Sequence, residues 1–99
     1  MPLTRQQRTL IRLIRRQNQR QYNLLKASEE FQELALVLTQ LALKPKKVTQ
    51  QEVIDEIGDV IIRLEIIKGM FPKLAVAKRV TYKLSKYRGY VDHKQYKNI

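Results

Sequence analysis

The 99-residue sequence predicts an all-α fold: one domain, residues 1–99, built as a four-helix bundle whose core is completed by oligomerisation. Three observations carry this. Apolar residues recur at i, i+3 and i+4 through four separate segments, and no segment alternates as a strand would. Helix starts and stops punctuate those segments: Pro45, a Thr49–Glu52 capping box, Gly69 and Pro72. A chain this short buries only ~60–65% of its unfolded surface, so helices with apolar sides need a further copy to cover them.

Residues 4 to about 19 read as the first helix. Arg5, Arg8, Arg12, Arg15 and Arg16 fall on one side, and Leu10, Leu13 and Ile14 on the other, with Ile11 at its margin. Such a basic amphipathic helix either contacts phosphate or a membrane surface, or packs by its apolar stripe with arginines in water. Gln17 to Asn23 breaks the periodicity, and Asn23 is the expected N-cap of a second helix over 24–43. Leu24, Ala27, Phe31, Leu34, Leu38 and Leu41 form its stripe. At ~100° per residue, Glu29 and Glu33 point away from that stripe, while Glu30 lies on its edge. A half-buried carboxylate there implies a cation or a basic partner.

Pro45 ends the second helix, and the capping box starts a third, over 50–68. Val53, Ile57, Val60, Ile61, Leu64 and Ile67 are its apolar positions, with Glu52, Glu56, Asp59 and Arg63 on an adjacent face. Ile54, Ile62 and Ile66 lie outside the main stripe, as expected of a helix sandwiched in a bundle or at a dimer interface. Gly58, mid-helix, costs ~1 kcal/mol relative to Ala and suggests a close approach beside Asp59. The fourth helix is expected over 72–88, opened by Pro72 and closed by Gly89, with residues 89–99 left as an unassigned tail.

Charge is segregated. Net charge is +11, yet eight of the nine acids lie between residues 29 and 65. A basic chain with an acidic centre favours anionic partners such as nucleotides or nucleic acid. No cysteine is present, which excludes disulfides and thiolate metal sites, and one histidine cannot build a histidine-rich zinc site. No apolar run approaches the ~20 residues of a membrane span, and the N-terminus lacks a signal-peptide core, so a cytoplasmic protein without membrane association is expected.

The acids form two clusters, Glu29-Glu30-Phe31-Gln32-Glu33 and Glu52-Val53-Ile54-Asp55-Glu56-Ile57-Gly58-Asp59. Glu52 and Asp55 lie in the first turns of their helix, where the macrodipole explains them. Glu30, Glu33, Glu56 and Asp59 lie deeper. Local ion pairs could absorb them: Lys26 with Glu30 and Glu33, and Arg63 with Asp59. An antiparallel hairpin would instead face the two clusters, and four converging carboxylates repel unless a cation lies among them. Oxygen ligands of this kind suit Mg²⁺, with Mn²⁺ as the alternative.

Glu29-Glu30-x-x-Glu33, then 22 residues, then Glu56-x-x-Asp59 resembles the EExxE…ExxD signature of the MazG-like, all-α nucleoside triphosphate pyrophosphohydrolases. The contexts NLLKASEEFQELALVL and EVIDEIGDVIIRLEII look like that family's second and third helices, and the likeness covers about residues 5–88. The resemblance implies a MazG-like bundle and an enzyme, a nucleotide pyrophosphohydrolase that converts a (d)NTP and water into (d)NMP and pyrophosphate. It implies that Glu30, Glu33, Glu56 and Asp59 bind Mg²⁺, with Glu29 and Glu33 in catalytic roles. It also implies a nucleoside triphosphate substrate and a homodimer or a dimer of dimers. Lys78, Arg79, Lys83 and Arg88 are candidates for the distal phosphates from charge and chain position. One departure is Arg63-Leu64-Glu65-Ile66, where many members carry an Asn. The alternative function is a basic helical nucleic-acid-binding or regulatory protein on the same scaffold, without catalysis.

Overall fold

A computed structural model describes residues 2–99. Four α-helices follow in order: α1 (Arg5–Gln17), α2 (Arg20–Leu43), α3 (Gln50–Lys68) and α4 (Lys73–Asp92). Short 3₁₀ turns occupy Pro45–Lys47 and Tyr96–Asn98, and no strand occurs among the described residues.

Local chemistry sets the helix starts. Thr4 and Thr49 each accept a hydrogen bond from the backbone N–H three residues on, and Gln7 and Glu52 reach back to the cap N–H. Both are capping boxes, satisfying two otherwise orphaned donors apiece. The break between α1 and α2 is shorter than the sequence suggests. Asn23 is not a cap: it lies within the first turns of α2, is 1% exposed, and donates from Nδ2 to the Arg15 carbonyl at 3.2 Å. Its amide stitches α1 to α2 from the inside. Gly89 does not stop α4, which runs on to Asp92, and Pro72 is the N-cap of α4 rather than its first residue.

The body of one chain is an antiparallel α2–α3 hairpin with α1 laid against α3. Its core is small: Ile11, Ala27, Val48, Val53 and Ile66 are the buried apolar residues. Arg15 closes the far end. Its Nε donates to the Ile66 carbonyl at 2.7 Å and its Nη2 to the Glu65 carbonyl at 2.8 Å, capping the C-terminus of α3. A Cβ on Gly69 would run into that guanidinium. Gly69 has an ordinary right-handed φ of −70°, so room for Arg15, not a left-handed turn, makes glycine fit here.

The fourth helix departs from this body at its first turn. It buries none of its residues and has no packing against α1, α2 or α3 comparable to theirs. Within one chain, three helices pack and the fourth projects.

Candidate metal centre

The α2–α3 hairpin brings the two acidic clusters together. One carboxylate oxygen from each of Glu30, Glu33 and Glu56 lies within 4.8 Å of the others. The antiparallel register does this: Glu30 and Glu33 follow one another by three residues on α2, and Glu56 faces them from α3. Glu30 and Glu56 are half-buried and Glu33 is exposed, so the cluster is rooted in the seam and opens to solvent.

Each remaining acid has a distinct place. Asp59 is exposed and falls outside the triad, although its charge still acts on Glu30. Glu29 is turned outward and accepts from Lys26 Nζ at 3.3 Å. Lys26 also lies 3.8 Å from Glu30, and these two carboxylates raise its pKa. Glu52 is taken up by its capping box and Asp55 accepts from Gln51 at 2.7 Å, so neither is free for the site. Of the local pairs expected, Lys26 with Glu30 forms; Lys26 with Glu33 and Arg63 with Asp59 do not, within 4.0 Å.

Burial raises the Glu30 pKa above the ordinary carboxylate range, and the neighbouring Glu33 adds to this by favouring a shared proton and by repulsion. Asp59 contributes further repulsion, and Lys26 offsets part of it. Two oxygens are left over: Glu30 Oε2 and Glu56 Oε2 are buried and have no hydrogen-bond partner. Crowded carboxylates with orphaned buried oxygens are in deficit of positive charge. A hard divalent cation fits this donor set, since it takes oxygens from several carboxylates at once.

The basic residues of α4 are elsewhere. Arg79 lies over the Tyr82 ring at 5.2 Å, Lys83 over Tyr87 at 5.4 Å, and Arg88 pairs with Asp92 at 3.2 Å. These three are engaged with their own helix. Because α4 does not pack on the hairpin, one chain does not carry Lys78, Arg79, Lys83 or Arg88 onto the triad. Gly58 also differs from expectation: nothing lies within 4 Å of where its Cβ would be, so no close approach within one chain calls for glycine.

Arg63 does not form the ion pair expected with Asp59. Its Nη1 is buried without a partner, and no hydrogen bond or ion pair to it occurs among the described residues. The signal available in the sequence was its position on the Glu56 face, two turns on.

No helix is long and apolar enough to cross a membrane among the described residues. Comparison with family models, with curated proteins and with solved structures returns no match.

Proposed function

We propose that this chain is a Mg²⁺-dependent nucleoside triphosphate pyrophosphohydrolase. The observation that carries the reading is the meeting of Glu30, Glu33 and Glu56 from two helices, with buried oxygens on Glu30 and Glu56 left unpartnered. The paired acidic motif supplies the reaction class through its resemblance to MazG-like enzymes.

In this reading Glu30, Glu33 and Glu56 hold the cation, and Asp59 extends the set. A bound divalent ion neutralises phosphate charge and lowers the pKa of a coordinated water. Water oxygen attacks the α-phosphorus, the bond from that phosphorus to the α–β bridging oxygen breaks, and pyrophosphate leaves with its electron pair. In this reading Glu29 and Glu33, the two more exposed carboxylates of the first cluster, would accept the water proton. Lys26 pairs with Glu29 at 3.3 Å, next in sequence to the cluster.

The same reading includes self-association as a homodimer or a dimer of dimers. The chain exposes 8389 Å², against about 5,900 Å² for a compact monomer of its mass. Its radius of gyration is 16.5 Å, against about 13 Å. The difference in area is of the order that obligate interfaces bury. Only across such an interface would the α4 lysines and arginines approach a triad.

A second reading has its own observation. The six Lys/Arg residues of α4, Lys73, Lys78, Arg79, Lys83, Lys86 and Arg88, lie on a projecting helix with exposed Tyr82. That surface suits nucleic acid by charge and stacking.

The test is pyrophosphate release from a panel of NTPs and dNTPs with Mg²⁺, for wild type and Glu33→Gln. Release by wild type and loss of at least 100-fold in the variant are expected, on the scale of removing one catalytic group. No release from any nucleotide would overturn the enzyme. Steep salt-dependent retention on DNA in its place would favour the second reading.

A further inference from the structure

The outer face of α3 carries a groove that nothing in one chain fills. Leu3, Gln7, Ile54, Gly58, Ile61 and Ile62 line it, and it holds about 620 Å³. At ~100° per residue, Ile54, Gly58 and Ile62 form one row along α3 at i, i+4 and i+8, with Asp55 and Asp59 on one flank. Ile54 and Ile62 are exposed, and open space lies over Gly58. Glycine in mid-helix is unfavourable, and here neither a left-handed backbone nor a neighbour requires it. What it leaves is a notch in the row, which admits a side chain of another helix.

A matching row runs along α4. Val76, Val80 and Leu84 repeat the i, i+4, i+8 spacing on a helix that buries none of its residues, and all three are exposed. Each row is about 12 Å long. Rows of residues four apart are the ridges that interlock when helices pack. Val80 stands at the centre of one row and the Gly58 notch at the centre of the other. The flanks match in charge. Among the described residues Asp55 and Asp59 form no ion pair, and neither do Arg79 and Lys83, which border the α4 row.

Charge also decides between occupants. A second α3 would bring Asp55 and Asp59 of two copies together, and like charges across an interface oppose that. The chain's own α4 does not pack on α3. Another copy's α4 brings opposite charge and a complementary row. Area agrees: 8389 Å² is exposed, against about 5,900 Å² for a compact monomer, an excess of the order that obligate interfaces bury. We propose that α4 of one copy lies in the α3 groove of another, with Val80 over Gly58 and with Arg79 and Lys83 beside Asp55 and Asp59. The exchange is reciprocal, so two such contacts close a two-fold dimer. This rests on the self-association in the reading above and names the faces that make it.

The chain has no cysteine, so introduced thiols are the only ones. A tagged Ile62→Cys chain is co-expressed with an untagged chain carrying Val76→Cys, Val80→Cys or Leu84→Cys. The cross-linker is a bismaleimide spanning about 8–10 Å, the spacing of packed helix axes. A mixed product is expected from at least one of the three pairs. Adding Gly58→Leu to the tagged chain should cut its yield at least tenfold, with unchanged far-UV dichroism because leucine favours the helix. By sedimentation, Gly58→Leu should raise the dimer Kd at least tenfold. Ile62→Cys linking only to itself would overturn the proposal in favour of α3 against α3. Gly58→Leu that dimerises as wild type does would overturn it as well. A wild-type dimer that gives no product from any pair would place the interface elsewhere, overturning this inference and leaving the self-association standing. A monomer at all concentrations would overturn both, while pyrophosphate release, measured separately, still decides the enzyme.

Discussion

Glu30 shows how one carboxylate carries both a cost and a use. Its pKa stands above the ordinary value of 4.5 because it is buried and crowded by Glu33. The folded chain therefore holds this proton more tightly than the unfolded chain does. Its contribution to stability falls as pH rises from that value through the raised one, and returns as pH is lowered. In chelator, thermal melting should show Glu30→Gln to be more stable than wild type near neutral pH. The gain should fade on acidification through that window. A gain of 1 kcal/mol would appear as about 4–8 °C in Tm. The same substitution should weaken Mn²⁺ binding. Metal displaces the proton, so Mn²⁺ affinity of wild type should drop as pH falls through the same window. Equal melting of wild type and variant across pH would show that Glu30 is not strained. Lys26 is the nearby positive charge, within reach of both Glu29 and Glu30.

The helices are held by contacts that can be removed one at a time. Thr49→Ala takes away the capping box of α3 and should cost ~1 kcal/mol in denaturant unfolding. Arg15→Ala takes away two charge-assisted bonds to the α3 C-terminus, worth about 1–3 kcal/mol. Gly69→Ala should cost a similar amount by a different route, since its Cβ would displace the same guanidinium. Both changes break one contact, so the double variant should cost little more than the larger single one. Additive losses would show that Gly69 and Arg15 act separately. Gly58→Ala, with open space around its Cβ, should stabilise an isolated chain by ~1 kcal/mol. Destabilisation of the associated form alone would place another copy's helix against that face.

At the scale of the molecule, the apolar surface left in the open is the dominant fact. Leu25 is 63% exposed, Leu36 58%, Ile62 45% and Leu84 60%. These span both helices of the hairpin and the projecting α4. Sedimentation should find a dimer or larger species whose Tm rises with concentration. Val80→Glu with Leu84→Glu, on the α4 stripe, should shift it toward monomer. A monomer at all concentrations would overturn the proposed assembly. The contrast in charge points the same way: α4 is basic, the hairpin acidic, and they do not meet within one chain.

The all-helical class, four helices and most of their bounds were legible because they depend on local signals. Capping boxes, Pro45 and 3.6-residue periodicity act over a few residues. Local reasoning also set Glu52 and Asp55 apart from the deeper acids, and the structure agrees in where their oxygens go. Asn23 was misread because its Asn chemistry suits a cap as well as a buried amide, and only the nearness of the Arg15 carbonyl decides between them. Gly69 and Gly89 were both read as stops, yet only one has a guanidinium lying against it. The meeting of Glu30, Glu33 and Glu56, the place of Asp59 outside that triad and the unpartnered state of Arg63 required the α2–α3 register. So did the departure of α4 from the body. Periodicity fixes which residues share a helix face; the register and packing of one helix on another decide which faces meet.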